Sequence, residues 1–313
     1  MAELPRYSDL DILSARPPKR AVDPRKPYAF LVEPECTATG VVEDVATVFL
    51  TNRECPFRCL MCDLWQYTTD DAVAQGDIPA QIDFALARLP PASHIKLYNS
   101  GNFFDRKAIP LADYPAIAER MNPFQTVIVE NHPSLCTQDA LAFRDLLTGQ
   151  LEVALGLETV HPVVLDRLNK RMTLDDFRRA VDFLRGHAIA VRAFILLRPP
   201  YLTEEEGVDW ALRSLAFAFD AGVGCCSVVP TRAGNGLMEQ LAEAGHFTPP
   251  SLASIETVLE EGLRMNRGRV FVDLWDVERF WTCPACGPAR RARLQRMNLS
   301  QQPEPPVSCT CQT

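Results

Sequence analysis

Three cysteines near the start of the chain are the residues best placed by type and spacing to do chemistry. Cys55, Cys59 and Cys62 follow an apolar, strand-like stretch with the spacing C-x3-C-x2-C. Three thiolates at this spacing can bind one [4Fe–4S] cluster and leave its fourth iron without a protein ligand. A zinc site or a disulfide framework would need a further cysteine nearby, and the next one is Cys136. The pattern therefore predicts an iron–sulfur cluster with one open iron.

This triplet and three later segments resemble a known superfamily. A cysteine triplet after a strand is similar to that of the radical S-adenosylmethionine (SAM) superfamily, in which the open iron binds SAM. Later segments resemble the branch containing the Elongator catalytic subunit and the archaeosine-synthase radical SAM subunit. They are residues 98–105 (YNSGNFFD), 156–159 (GLET) and 168–173 (LNKRMT). One departure is Met61, where most of the superfamily has an aromatic residue.

The resemblance also implies which residues bind SAM. Ser100, Gly101 and Asn102 match the turn that holds the SAM amino group, although the common version has a second glycine and an acidic residue. Glu158 matches the acidic residue that binds the ribose hydroxyls. Arg198 ends a strand, and its guanidinium could hold the SAM carboxylate or a substrate acid. The alternative for each is an ordinary structural role, in a turn or an ion pair.

Four further cysteines lie in two close pairs near the end of the sequence. Cys283 and Cys286 belong to a CPACG run, and Cys309 and Cys311 follow later. Four thiolates in two pairs suit a tetrahedral zinc ion, but a second iron–sulfur cluster uses the same ligands. The run between the pairs could bind phosphate or form a solvated amphipathic helix. It contains four arginines, Arg290, Arg291, Arg293 and Arg296.

The composition indicates a globular enzyme from a reducing compartment. The chain has 313 residues, 47% of them hydrophobic, enough for one large domain and a small appendage. Its 11 cysteines are odd in number and partly at metal-ligand spacing, which argues against a disulfide scaffold. The formal net charge is −8, which does not favour a polyanionic partner. No signal-like start or membrane-length apolar stretch is seen, so we expect a cytoplasmic protein without a membrane partner.

Successive strand–helix pairs must position these residues. Strand-like apolar runs alternate with helix-like ones from residues 45–50 onwards, and capping boxes at Thr173 and Thr203 mark two helix starts. Periodicity alone does not separate a doubly wound sheet from a barrel. The resemblance implies an α/β fold built on a partial (βα)6 TIM-type barrel, with the site at the C-terminal ends of the strands. Several side chains at strand ends could face a substrate: Glu130, Asn131, His132, Thr231 and Arg232.

The chain divides into three predicted parts. Residues 1–39 form an N-terminal arm whose first part is rich in proline and charge, and which lies over the domain or is partly disordered. Residues 40–265 form the partial barrel. Residues 266–313 form a small C-terminal extension that contains the cysteine-rich metal module with its four cysteines.

Together these features predict a radical SAM enzyme. The resemblance implies that it cleaves SAM reductively and takes hydrogen from a substrate, with electrons from a flavodoxin-like or ferredoxin-like donor. It also implies a modified tRNA base or its precursor as substrate. The net charge of −8 and the lack of a recognisable RNA-binding domain favour a small metabolite or peptide instead. A non-catalytic iron–sulfur or zinc-binding protein is a further alternative, against which the intact triplet and Glu158 argue.

Overall fold

One curved sheet of eight strands organises the computed structural model, which describes residues 4–312. The strands lie in sequence order; β1 pairs antiparallel with β2, and every later pair is parallel. They are β1 (Ala29–Cys36), β2 (Val42–Phe49), β3 (His94–Tyr98), β4 (Thr126–Asn131), β5 (Gln150–Glu158), β6 (Ala190–Leu197), β7 (Cys225–Pro230) and β8 (Arg269–Val272). Six crossovers join the parallel strands β2 to β8. The predicted partial (βα)6 barrel is therefore confirmed, with β8 as its last strand.

Ten α-helices accompany these strands in the described part of the chain. They are α1 (Asp9–Ser14), α2 (Asp77–Leu86), α3 (Tyr114–Met121), α4 (Gln138–Arg144), α5 (Pro162–Arg167), α6 (Leu174–Gly186), α7 (Glu204–Asp220), α8 (Leu237–Glu243), α9 (Leu252–Arg264) and α10 (Gly287–Ser300). The capping boxes at Thr173 and Thr203 are present and begin α6 and α7. None of the helices described combines the length and apolarity needed to cross a membrane.

The main hydrophobic core lies between the sheet and the helices. Strand residues such as Val48, Leu97 and Ile195 are fully buried there against Phe177 of α6 and Leu215 of α7. Because side chains alternate across a strand, the remaining residues of each strand point into the barrel. The strands thus present one face to the core and the other to the barrel interior.

Strand β1 lies within the segment predicted as an arm. Its sequence carries Glu33, Pro34 and Glu35 in succession, so it lacks the apolar alternation that indicates a strand. Proline is tolerated there because an edge strand has backbone N–H groups without a ladder partner. Glu35 gains its partners inside the barrel, where it contacts Lys96 and Arg192. The domain boundaries at residues 40 and 266 stay predictions.

From residue 4 onwards, the segment before β1 lies over the barrel mouth. Helix α1 begins at a capping box formed by Ser8 and Asp11, and its Ile12 is buried against Leu60 and Phe247. This segment therefore lies over the domain, the first of the two predicted behaviours.

The N-terminal end of the barrel interior is filled by charged side chains. Arg192 donates from Nε to Glu152 Oε1 (2.6 Å) and from Nη2 to Glu35 Oε1 (2.5 Å). Lys96 Nζ pairs with Glu35 Oε2 at 2.5 Å, and Arg269 Nη2 pairs with Glu152 Oε2 at 3.2 Å. These five residues, the barrel-floor ion network, occupy the end of the barrel opposite to the strand C-termini.

Candidate active site

The cysteine triplet lies in the loop that leaves the C-terminal end of β2. All three cysteines are free thiols with intermediate exposure. Burial raises the pKa of Cys59 to about 12 and also raises the pKa values of Cys55 and Cys62. Because the thiolate is the metal ligand, metal binding here must release protons.

Hydrogen bonds from distant parts of the chain hold this loop in place. Asn235 Nδ2, just before α8, donates to Leu60 O (2.7 Å) and Cys62 O (3.1 Å). Trp65 Nε1 donates to the same Cys62 carbonyl at 3.1 Å, and Leu60 N donates to Leu168 O at 2.9 Å. The loop is therefore positioned by two distant segments as well as by Trp65, which follows it closely in the chain.

The predicted SAM turn lies directly beside the cysteine loop. Asn102 Nδ2 donates to Cys55 Sγ at 3.1 Å. A Cβ atom at Gly101 would lie 3.4 Å from Cys55 Cβ, an ordinary van der Waals distance, so the two loops are in direct contact here. Ser100 Oγ is 2.9 Å from the hydroxyl oxygen of Tyr28. The structure thus brings together Ser100, Gly101, Asn102 and Cys55, while their contact with SAM stays a prediction.

Glu130, at the end of β4, lies beneath this turn. Its Oε1 accepts hydrogen bonds from the backbone N–H groups of Asn99 (2.6 Å) and Gly101 (3.2 Å). Burial raises the pKa of Glu130 to about 7. From sequence, this residue was only one of several that could face a substrate. The acidic residue missing from the turn itself thus has a counterpart on the neighbouring strand.

Glu158 ends β5 in a buried ion pair. Its Oε1 lies 2.7 Å from Lys170 Nζ, and its φ of 65° is unusual for a residue with a side chain. A Cβ atom at Gly156 would overlap both the carboxylate and the ammonium, so a larger residue there would have to displace the ion pair. Burial opposes the charge of Lys170, but Glu158 and Cys59 raise its pKa above the usual value. The structural ion pair therefore exists, and ribose binding by Glu158 stays a prediction.

His132 lies next to the cysteine loop. From sequence it is only one of several residues at strand ends that could face a substrate. Its ring stacks on Phe57, with ring centroids 3.9 Å apart and planes 18° apart. Its Nε2 lies 3.0 Å from Lys170 O. Burial lowers the pKa of His132 to about 4, so the ring is neutral near pH 7. No motif marks His132, whereas Lys170 lies in the 168–173 segment, and only the fold brings both to the cysteine loop.

Arg198 is engaged elsewhere. Its Nη1 pairs with Glu204 in the first turn of α7 and donates to Pro249 O at 2.8 Å. These contacts hold the guanidinium between α7 and the segment before α9. The geometry thus gives no support to a SAM-carboxylate role for Arg198 and agrees with the structural alternative.

The second cysteine group comes together as its spacing indicates. Among the described residues, Cys283, Cys286, Cys309 and Cys311 are the one set of three or more potential ligands whose ligand atoms all lie within 4.8 Å of one another. We call them the C-terminal cysteine quartet. Backbone N–H groups of Cys286 and Ala285 lower the pKa of Cys283 to about 7. This arrangement can hold a metal ion.

The arginine run is not a free cationic surface. Arg290 pairs with Glu256 at 2.7 Å, and Arg293, only 1% exposed, pairs with Glu260 at 2.7 Å. The other two also have acidic partners within the chain: Arg291 with Glu278 and Arg296 with Glu304. Arg290 and Arg293 are thus buried in ion pairs, whereas the side chains of Arg291 and Arg296 are 54% and 58% exposed on the solvated face of helix α10. Phosphate binding by this run stays a prediction.

The sequence of this chain is similar to those of known proteins, although no family model matches it. Uncharacterized protein MJ0550 of Methanocaldococcus jannaschii is 22% identical over 306 residues, 90% of this chain and 84% of that protein. Archaeosine synthase subunit beta of Methanosarcina acetivorans is 27% identical over 238 residues, 71% of this chain and 68% of that protein. The predicted resemblance to the archaeosine-synthase and Elongator branch of the radical SAM superfamily is confirmed.

A solved structure shows the same fold. Elp3 of Methanocaldococcus infernus, with its N-terminal residues 1–46 deleted, has a TM-score of 0.51 at 14% identity. The likeness covers 71% of this chain but only 59% of the Elp3 chain. These relatives support the interpretation of the protein as an enzyme.

The three thiols of the cysteine loop suit the predicted iron–sulfur cluster. The three free thiols lie on one loop that follows β2. The sulfur of Cys55 accepts a hydrogen bond from the side-chain amide of Asn102. Their sulfurs are not as close together as those of the C-terminal cysteine quartet, since only the quartet lies within 4.8 Å among the described residues. A cluster binds each thiolate at a different iron, so its ligands need not be as close as those of a single ion.

Proposed function

We propose that this chain is a radical SAM enzyme that uses a [4Fe–4S] cluster at Cys55, Cys59 and Cys62. The observation that carries the proposal is the 3.1 Å contact between Asn102 Nδ2 and Cys55 Sγ, which joins the cysteine loop to the SAM turn. When bound, the cluster and SAM supply reductive cleavage of SAM to methionine and a 5′-deoxyadenosyl radical, which takes hydrogen from the substrate.

The residues of the chain would bind and orient these groups. Asn102 supports the Cys55 thiolate, and backbone carbonyls of the turn at Ser100 and Gly101 would accept from the SAM amino group. Glu158, held by Lys170, would accept hydrogen bonds from the ribose hydroxyls. The stacked pair of His132 and Phe57 would keep water away from the cysteine loop.

Anaerobic reconstitution tests this proposal. The full chain should gain about four irons for one cluster, and SAM should change the electron paramagnetic resonance spectrum of the reduced protein. A Cys136→Ser variant is the matched control, because this thiol lies outside the triplet and should leave both results intact. A spectrum that SAM does not alter would remove the proposed binding of SAM at the open iron.

For the substrate, we propose a modified tRNA base or its precursor. Similarity to archaeosine synthase subunit beta over 71% of the chain supports this class. A small metabolite or peptide is the second candidate, favoured by the net charge of −8 and by the ion pairs that occupy the arginines of α10. Untargeted comparison of nucleosides and metabolites between a deletion strain and its parent separates the two: a changed nucleoside supports the first class, and a changed metabolite or peptide supports the second.

We also propose a flavodoxin-like or ferredoxin-like electron donor, a cytoplasmic location and a zinc ion at the C-terminal cysteine quartet. A reducing location agrees with the free cysteines of the described chain. A tetrahedral ion with Zn–S bonds of about 2.3 Å holds its sulfurs about 3.8 Å apart. The Sγ atoms of Cys286 and Cys311 are 3.6 Å apart. This spacing favours one zinc ion over an auxiliary cluster, and metal analysis of a variant without the triplet tests it: zinc supports the proposal, and iron would replace it with the auxiliary cluster.

A further inference from the structure

The outer edge of β8 is covered by a helix instead of by another strand. Val270 N donates to Gln301 Oε1 (2.8 Å), and Val270 O accepts from Gln301 Nε2 (3.0 Å). Val272 N donates to Asn298 Oδ1 (3.0 Å), and Val272 O accepts from Asn298 Nδ2 (2.9 Å). Each side-chain amide therefore makes the pair of hydrogen bonds that a neighbouring strand would make, which protects an edge that could otherwise pair with another chain.

Helix α10 also closes the side of the partial barrel between β8 and β1. Its Leu294 and Met297 are fully buried in the main core. Arg269 Nη1, at the start of β8, donates to Cys36 O at the end of β1 across 3.1 Å. The two outer strands are thus linked without a strand pairing, and α10 packs against both of them.

The tail after α10 turns back along the helix. Gln301 adopts a left-handed conformation with a φ of 53°, which reverses the chain. Arg293 Nε then donates to Pro305 O at 2.7 Å, and Arg296 pairs with Glu304 at 2.8 Å. The tail ends at the C-terminal cysteine quartet, whose first pair precedes α10. A metal ion bound there would link the segment before α10 to the tail that follows the helix.

We propose that a single tetrahedral ion, zinc, at the C-terminal cysteine quartet locks α10 in place and so keeps the β8 edge closed. This rests on the zinc site proposed above and is independent of SAM chemistry. Short helices are marginal by themselves in water. Four metal bonds at one end of α10 would add to the constraint from its buried side chains and from the edge amides at its other end.

Residue-resolved amide hydrogen exchange of the full chain, with zinc bound and after chelation, tests the proposal. The amides of Val270 and Val272 should exchange about tenfold faster or more without zinc, because they face α10. The amides of Arg269 and Asp273 are internal controls, since they donate to Gly224 O and Val228 O on the β7 side. Adding Zn²⁺ alone should restore the slow exchange.

Two variants separate the metal from the edge contacts. Cys311→Ser should behave like the chelated protein even with added Zn²⁺, whereas Cys136→Ser should behave like the parent. The double variant Asn298→Ala/Gln301→Ala should keep one zinc ion and still lose protection at Val270 and Val272. If Cys311→Ser does not fold, the comparison of hydrogen exchange in the parent protein before and after chelation tests the proposal without this variant.

Equal protection with and without zinc, or a parent that retains no metal, would overturn the proposal. A double variant with full protection would also overturn it. Zinc-dependent protection in a protein that makes no 5′-deoxyadenosine would instead refute the radical SAM function and leave this inference standing.

Discussion

At the residue scale, the buried pair of Glu158 and Lys170 joins stability to the SAM binding proposed for Glu158. The ammonium contacts Glu158 Oε1 at 2.7 Å, and the two side chains are only 9% and 8% exposed. Removing one partner of such a pair leaves an unpaired buried charge, which costs about 3–5 kcal/mol. A simple loss of SAM binding in one single variant would therefore not reveal the role of the carboxylate.

A double-variant comparison separates the two roles. We expect Glu158→Gln and Lys170→Met each to lower the free energy of unfolding by about 3–5 kcal/mol, and Glu158→Gln/Lys170→Met to recover part of that loss. The double variant should still bind SAM roughly ten- to a hundredfold more weakly, because the ribose has lost a charged acceptor. Denaturant unfolding and calorimetric titration measure both quantities. Parent-like SAM affinity in the double variant would show that Glu158 is structural only.

Glu130 predicts a pH dependence of stability. Burial raises its pKa from 4.5 to about 7 in the folded state, so the folded protein holds this proton more tightly than the unfolded chain does. Stability should therefore fall as pH rises from 4.5 to about 7 and stay low above that window. In the metal-free protein, Glu130→Gln should flatten this fall, whereas Glu119→Gln, at an exposed position, should not. An unchanged pH profile in Glu130→Gln would contradict the assignment.

Residue-scale roles were only partly predictable from sequence. The triplet is marked by its spacing, and the turn at Gly101 by its resemblance to the superfamily. Lys170 lies in a further resembling segment and His132 in none, and only the fold shows that they contact each other. The position of Arg198 at a strand end suggests a functional role, but its guanidinium forms an ion pair with Glu204, six residues later.

At the element scale, the cysteine loop depends on a residue that precedes α8. Asn235 is 2% exposed and donates to the carbonyls of both Leu60 and Cys62. Its Oδ1 also accepts from Met238 N at 2.9 Å, so the same side chain begins the helix. Loss of this amide would leave the Leu60 carbonyl without this partner, and the Cys62 carbonyl with the Trp65 indole N–H alone.

We expect Asn235→Ala to loosen the cysteine loop. The unsatisfied Leu60 carbonyl should lower the free energy of unfolding by about 1–3 kcal/mol, and reconstituted protein should lose iron faster during desalting. Gln240→Ala, at an exposed position on α8, is the matched control and should keep its iron. Iron retention by Asn235→Ala equal to that of the control would contradict this role for Asn235.

Capping boxes and apolar periodicity predict most of the helices and strands from sequence. The features that these patterns do not predict depend on contacts between residues distant in sequence. Capping boxes and apolar periodicity predict α6 and α7 directly. Strand β1 has no such pattern, because Glu35 is satisfied by residues distant in sequence. The arginines of α10 looked like a free surface for the same reason, since their acidic partners lie on α9, in the tail and in the segment before α10.

At the scale of the whole molecule, the barrel-floor ion network links β1 to the parallel strands. Burial opposes ionisation of Glu35, but Arg192 and Lys96 together hold the pKa of this carboxyl well below its usual 4.5. A lowered pKa in the folded state gives stability that is present above the unfolded pKa and is lost on acidification. The network should therefore weaken as pH falls below about 4.5.

The acid sensitivity of this network can be measured. We expect the parent to lose stability as pH falls from about 5 to 3, and Glu35→Gln to show a shallower loss from a lower starting stability. Glu33→Gln, whose side chain is 54% exposed, is the control and should keep the parental slope. Denaturant unfolding across this pH range gives the comparison, and parallel curves for all three proteins would contradict the role of Glu35.

The most direct test of the central claim is formation of 5′-deoxyadenosine by the reconstituted protein. Given dithionite and SAM under anaerobic conditions, the parent and Cys136→Ser should release 5′-deoxyadenosine and methionine. Cys59→Ala should release neither, because it lacks one of the three thiolates that hold the cluster. Equal amounts of 5′-deoxyadenosine from Cys59→Ala and the parent would contradict the claim that the triplet binds the catalytic cluster.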